Sequence, residues 1–405
     1  MISEIVKWGF FIYLGIIPLI PDFINSKYRI TDAYLILLVC IYIVNMLSNS
    51  ERRRKLFIDL KTFFKDLIVI FMLLLIVIMG VSTLYSTDKN VAVQETIRFG
   101  TYIVVLYYFV SEIDVKKDMN KIITFFYCPA FIVGVLGVIQ YFTKIGIEVN
   151  TNGVLRIEST LGHPNSLGLY FVLLLFPLIP LILEEKVRKR KILYCMLLVI
   201  MIFNIVLCFS RNAWLSLIFG IFILTVIYSW KFVVGLFVAG AGVLLSPPLR
   251  ARLISLSKAI IYDGRLKHWA IALEMFKDKP LTGVGNGNYV TLHAQYLKRF
   301  PQYIVPGEEN YPTHNSYFKI LCELGVLGFI PFILLHIAIF IRAIKVCKLY
   351  SKKYQGLIKG LIVSILIFFQ ANLFDNMWFV PKVAIIYWII VGVIILLQRR
   401  KIYND

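Results

Sequence analysis

Apolar stretches of about 20 residues recur along this chain, each long enough to cross a hydrocarbon layer roughly 30 Å thick as a helix. They fall at 5–20, 30–48, 66–85, 96–111, 121–143, 166–183, 192–209, 213–229, 232–246, 316–341, 357–374 and 382–398. The chain is 59% hydrophobic with a mean hydropathy of +0.80, well above a soluble domain, so little is left for a separate soluble unit. The expectation is an all-α, polytopic membrane bundle of about 12 transmembrane helices, with residues 1–405 forming a single integral membrane domain. The start, "MISEIVKWGFFIYLGIIPLIPDF", has a weak basic region and no small-residue cleavage pattern, and reads as a mature helix.

Lysine and arginine give the orientation. "ERRRK" at 51, "VKK" at 115, "KVRKRK" at 186, "RAIKVCKLYSKK" at 342 and the terminal "QRRKIYND" fall on one side, which the positive-inside rule makes cytoplasmic. Loops 21–29, 86–95 and 375–381 carry few basic residues, and both termini come out cytoplasmic. The formal charge of +20 would otherwise suggest nucleic acid, but the excess sits in those inner loops, where anionic lipid headgroups account for it. No nucleic-acid-binding motif is present, and none is expected as a partner. The six cysteines lie in or beside spans with no CxxC pair, which suits small core residues rather than metal ligands or disulfides.

One connection is long: residues 247–315, a large extracytoplasmic loop expected to carry short helices. Its first part, "SPPLRARLISLSKAIIY", has helical apolar spacing suited to a membrane-surface helix. The next, "DGRLKHWAIALEMFKDKP", places Leu266, Trp269, Ala270, Leu273 and Phe276 on one helical face that ends at Pro280. With Asp263 as N-cap, Arg265 falls in the first turn, where a cation opposes the helix dipole unless an anion joins it. Unpaired first-turn N–H groups and this arginine suit a phosphate; the plainer reading is a solvated surface arginine.

Arg211, in "CFSRNAWLSLIFG", interrupts nearly continuous apolar sequence at the outer boundary of two helices. It reads either as a cavity-facing cation or as a snorkelling anchor. His314, in "YPTHNSYFK", follows Pro312, and Thr313 or Asn315 can cap the helix after it. A helix N-terminus favours neutral imidazole, the form a general base needs, although a lone histidine is also commonly structural. Two cations and a base on one outer face fit a lipid-linked diphosphate sugar: the arginines hold the departing diphosphate while His314 deprotonates an acceptor hydroxyl, with activity falling as the imidazole protonates in acid. No metal or other cofactor is expected, since the outer side carries no DxD pair or ligand-spaced histidine cluster.

These residues resemble the O-antigen ligase and polymerase superfamily, through "GHPNSLG" at 162, "SRNAW" at 210, "DGRLKHW" with "KPLTGVGNGNY" at 263–289 and "THNSYFKILCELGVLG" at 313, in family order over roughly 155–335. The resemblance implies a GT-C-like helical fold and metal-independent, inverting transfer from an undecaprenyl-diphosphate-linked oligosaccharide. It implies Arg211, Arg265 and His314 as catalytic residues, the arginines binding diphosphate. His163 and Asn165 could cap a helix or line the glycan path, with structural support preferred, and Asn315 follows the histidine of its motif. Gly283, Gly285 and Gly287 form a tight loop that follows no strand and so is not a nucleotide fingerprint. Glu323, off the face of His314, is a lesser supporting candidate.

Polymerase and ligase differ in acceptor: another lipid-linked repeat, or a terminal acceptor. Richness in Ile, Lys and Asn points to an AT-rich genome and a source without lipopolysaccharide, which favours a polymerase of capsule, exopolysaccharide or O-antigen assembly working with a flippase and a chain-length regulator. An ion or solute transporter is the rival, but it would place charges near mid-membrane and often shows related halves.

Overall fold

The computed structural model describes residues 2–145, 148–149, 155–228, 264–350 and 352–404. The helices are α1 (Ile2–Leu19), α2 (Asp22–Tyr28), α3 (Ile30–Leu47), α4 (Ser50–Phe64), α5 (Leu67–Ser82), α6 (Lys89–Glu112), α7 (Val115–Thr143), α8 (Pro164–Glu184), α9 (Arg188–Leu207), α10 (Arg211–Tyr228), α11 (Arg265–Asp278), α12 (Tyr289–Arg299), α13 (Ser316–Leu349), α14 (Lys352–Ala371) and α15 (Pro381–Asn404). A two-stranded antiparallel ribbon, β1 (Glu148–Val149) and β2 (Leu155–Arg156), stands between α7 and α8.

This is a helical membrane protein. Among the described residues six helices are long and apolar enough to cross a membrane, namely α3, α7, α8, α9, α13 and α15, or seven if the bent pair α4 and α5 is one span. α10 and α14 are shorter apolar helices. The expected span at 232–246, the surface helix at 247–263 and the Asp263 cap lie outside the described residues.

Contacts define two ends of the bundle. At one, Lys7 pairs with Asp118, Lys55 with Glu112 and Arg342 with Asp66. At the other, Asn165 meets Asp375, Asn212 meets Ala371, and Lys382 meets Asp22 and the carbonyl of Ile20. Between them lies an aliphatic and aromatic core with α8 and α15 at its centre, including Tyr170, Phe171, Phe176, Tyr387 and Trp388. Three differences from the sequence expectation stand out. "ERRRK" is not a loop but opens α4, which bends by 81° into α5, because Asn49 and Asp66 each cap a helix start with a side-chain oxygen. Most of the expected loop 86–95 is the first turns of α6, capped by Asp88. Cys208 and Cys322 are core residues as expected, whereas Cys40, Cys128 and Cys195 lie on helix exteriors; all six are free thiols.

The segment 264–315 packs as a small layer of its own, with Ile271, Ala272, Met275, Val284, Tyr289, Tyr296 and Leu297 buried around Cys322. The face of α11 turned inward is His268, Ile271, Ala272 and Met275, while Leu266 and Leu273 of the predicted stripe are exposed. An apolar stripe beside a bilayer need not face the core, since lipid accepts it as readily as protein does. α11 ends at Asp278, two residues before Pro280 as expected.

Candidate active site

The turn between α14 and α15, residues 372–376, organises the end of the bundle at which α8, α10 and α13 start. Asn315 is the N-cap of α13, its side-chain oxygen accepting from the N–H groups of Tyr317 and Phe318 at 2.9 and 3.0 Å. Its side-chain amide donates to the Leu373 carbonyl at 2.9 Å, and its backbone N–H donates to Asn376 Oδ1 at 3.0 Å. Thr313 Oγ1 donates to the same Asn376 oxygen at 2.9 Å, and Ser316 Oγ donates to Asn372 Oδ1 at 2.6 Å. Of the two expected caps, Asn315 is the one used, and Thr313 bolts the preceding residue to the turn.

His314 therefore sits on a backbone fixed on both sides, at φ 46°, in the left-handed region that few residues other than glycine adopt. Its Nδ1 lies 3.0 Å from Asp375 Oδ1. Asp375 is only 7% exposed, yet it stays ionised because His314, the Asn376 N–H and the Arg265 charge hold its pKa down to about 2 against burial. An ionised acceptor there assigns the Nδ1 hydrogen to His314 and leaves Nε2 as the atom able to take a proton.

Arg265, half-buried at the start of α11, donates from Nη1 to the Phe374 carbonyl at 3.0 Å, which places a guanidinium beside Asp375. Gly264, with no side-chain cap, occupies the N-cap of α11. Arg211 begins α10 and is exposed; the next residue, Asn212, donates to the Ala371 carbonyl at 3.0 Å. The 372–376 turn thus joins His314, Arg265, Asn165 and Asn315, and Arg211 precedes the residue that bonds Ala371 at the end of α14. Asn165 donates from Nδ2 to Asp375 Oδ2 at 2.7 Å. His163 caps α8, its Nδ1 accepting from the Asn165 N–H at 3.1 Å.

Glu323 and Gly285 belong to another cluster. Glu323 is fully buried, accepting from the N–H groups of Gly287 and Tyr289 at 2.9 and 3.0 Å and from Lys319 Nζ at 2.5 Å. Gly285, at φ 111°, lies against Ser86 with no room for a side chain. Sequence reasoning missed Asp375 and Arg156, the latter donating from Nη2 to Asn165 Oδ1 at 3.0 Å. The available signal for Asp375 was an acid in the apolar string "ANLFDNMWF".

Behind His314 runs a second chain: Glu308 Oε2 lies 2.8 Å from His268 Nε2, and His268 Nδ1 lies 3.1 Å from His293 Nε2. Burial lowers the pKa of both histidines and keeps them neutral near pH 7. The Tyr311 ring is 5.2 Å from that of His268 and 5.0 Å from that of His314. Among the described residues no three His, Cys, Asp or Glu side chains are grouped as metal ligands.

Residues 196–333, from α9 into α13, match the O-antigen ligase family model. The match supports the resemblance to the O-antigen ligase and polymerase superfamily and points to an activity of that type. No curated protein matches the chain.

Proposed function

We propose that this protein is a polysaccharide polymerase of the cytoplasmic membrane, transferring glycan from an undecaprenyl-diphosphate-linked donor to a sugar hydroxyl of another lipid-linked repeat. The observation that carries it is the His314–Asp375 pair beside the Arg265 guanidinium. In this reading the acceptor oxygen attacks the anomeric carbon while its proton passes to His314 Nε2. The bond from that carbon to the phosphate oxygen breaks with inversion, and the electron pair leaves with the diphosphate. Arg265 and Arg211 bind that diphosphate, where negative charge develops. The step uses no metal. Asp375 holds the imidazole and stabilises the imidazolium formed.

The fuller architecture belongs to the same proposal: about twelve spans in a GT-C-like arrangement, the basic end cytoplasmic with both termini, and 247–315 outside. Lys7, Arg52, Lys55 and Arg342 lie at the end opposite Asp375, as the positive-inside rule requires of that orientation. A second reading, transfer to a terminal acceptor, is favoured by the ligase description of the matching family. Purified protein in nanodiscs, given a defined polyprenyl-diphosphate oligosaccharide, tests both by product mass. Growth by whole repeats supports the polymerase, attachment only to an added terminal acceptor supports the ligase, and the absence of any glycosyl transfer overturns both.

A further inference from the structure

Asp375 Oδ1 faces His314, but its other oxygen faces away from it, into a chain of side chains that the transfer chemistry does not itself use. Asn165 Nδ2 donates to Asp375 Oδ2 at 2.7 Å, and Arg156 Nη2 donates to Asn165 Oδ1 at 3.0 Å. Arg156 is anchored in turn, its Nε donating to the Cys208 carbonyl at 3.1 Å. The four residues come from four places: the strand β2, the start of α8, the residues before α13 and the turn after α14. We infer that Arg156 and Asn165 are positioning residues for glycosyl transfer, holding the Asp375 carboxylate and, through it, the Nδ1–H tautomer of His314. The inference rests on the reading of His314 as the base.

The physical case has two parts. A primary amide has one accepting and one donating end, and nothing in Asn165 alone decides which meets Asp375. Arg156 can only donate, so it takes Asn165 Oδ1 and turns Nδ2 toward the carboxylate. A flipped amide would set oxygen against a carboxylate oxygen within a site where Asn165 is 8% and Asp375 7% exposed. The second part is electrostatic. Hydrogen bonds to Oδ2 draw carboxylate charge away from His314, so the imidazolium is stabilised less than by an uncompensated acid and the imidazole can release its proton again. Short charge-assisted bonds of this kind are roughly twice as strong as neutral ones.

The other titratable or charged groups near His314, among the described residues, are Arg265 and His268 from α11, Glu308 behind His268, and Tyr311 beside the ring. None of these is altered by changes at 156 or 165, so a change in pH response there reports on the relay.

The variants are Asn165→Leu, Arg156→Gln and the conservative Arg156→Lys, in the full chain in nanodiscs, with size-exclusion profiles confirming folding. With the polyprenyl-diphosphate oligosaccharide as substrate, Asn165→Leu and Arg156→Gln are expected to lower kcat on the order of tenfold or more with KM little changed, as for loss of one charge-assisted hydrogen bond. Both should also move the acid limb of the rate profile to higher pH, since Asp375 then keeps the charge those bonds draw off and favours the imidazolium even where its orientation is loosened. Arg156→Lys should recover part of both effects. His163→Asn, which keeps a cap on α8, serves as the control for a merely structural role and should leave the limb in place. ¹⁵N-histidine NMR reads the tautomer without turnover, with His314→Asn identifying the resonance: Nδ1–H in the unaltered protein, mixed in Asn165→Leu. A limb that stays or moves to lower pH, together with an unchanged tautomer, overturns the inference. Absence of transfer by the unaltered protein overturns the functional reading instead, and leaves the relay to be judged by NMR alone.

Discussion

Two buried carboxylates at the same end of this bundle are satisfied in opposite ways. Glu323 accepts from two backbone N–H groups and one lysine, all within a fixed loop-to-helix junction. Asp375 accepts from an imidazole, a side-chain amide and one backbone N–H, with an arginine nearby. Backbone donors cannot titrate or turn away, so the first arrangement is a brace. Partners able to exchange protons or bind anions make the second suited to the proposed chemistry. The difference lies in who donates, and burial alone would have ranked the two acids in the wrong order.

Exchange of partners is therefore the way to break this contrast. The largest effect is expected at His314: His314→Ala should cost 10² to 10⁴ in transfer rate, the usual range for loss of a general base, at normal protein levels. Asp375→Asn should fall in the same range because an amide no longer enforces the Nδ1–H tautomer. Wild-type rates from either variant would remove the site. Arg265→Ala and Arg211→Ala should each lose on the order of 10²-fold in rate, the size of one charge-stabilising group, with lysine restoring part. An Arg211 variant at full rate would leave Arg265 as the sole diphosphate group of the pair.

Glu323→Gln should act in the other currency. It strands the Lys319 ammonium and is expected to cost about 3 to 5 kcal/mol of stability, read by thermal unfolding in detergent, while turnover per folded molecule falls less than tenfold. Loss of turnover at full stability would place Glu323 in the catalytic machinery. Gly285→Ala should follow at about 1 to 3 kcal/mol, since a side chain at φ 111° is strained and meets Ser86.

Acidification gives the smallest effect and separates the two histidine settings. The buried His268 and His293 have folded pKa values below 6.5, so the unfolded chain takes up protons first and their contribution is lost as pH falls through about 6.5. Hydrogen exchange in α11 and α12 should rise between pH 7 and 5. Asp375 behaves differently: its contribution is complete above about pH 4 and fades only toward pH 2, so the 372–376 turn should stay protected in that interval.

Much of this was readable from residues alone. Hydropathy marked a helical membrane chain because a bilayer imposes span length, and a cation at a helix start and a proline-led histidine singled out Arg265 and His314, which meet at the turn after α14. Asp375 was hidden because its role depends on a turn more than 60 residues from His314 folding back onto it. The 81° bend after α4 was hidden because charge reads as loop when only hydropathy is followed. The inward face of α11 was misjudged because periodicity finds an apolar side without saying whether lipid or protein covers it. Glu323 could be placed off the face of His314 by helical spacing, but its backbone donors lie in a loop no spacing rule connects to it.

At Gly325, φ 61°, α13 breaks, and the loop after α11 fills the gap. Val326 and Leu327 donate to the carbonyls of Pro280 and Leu281, at 2.9 and 3.2 Å. The carbonyls of Cys322 and Glu323 accept from Val284 and Gly285, both at 2.9 Å. Every one of these links is main chain to main chain, so the number of residues between 280 and 285 is set by the backbone itself. A single-residue insertion or deletion there would misalign four peptide groups at once, so this loop is expected to tolerate a change of length poorly.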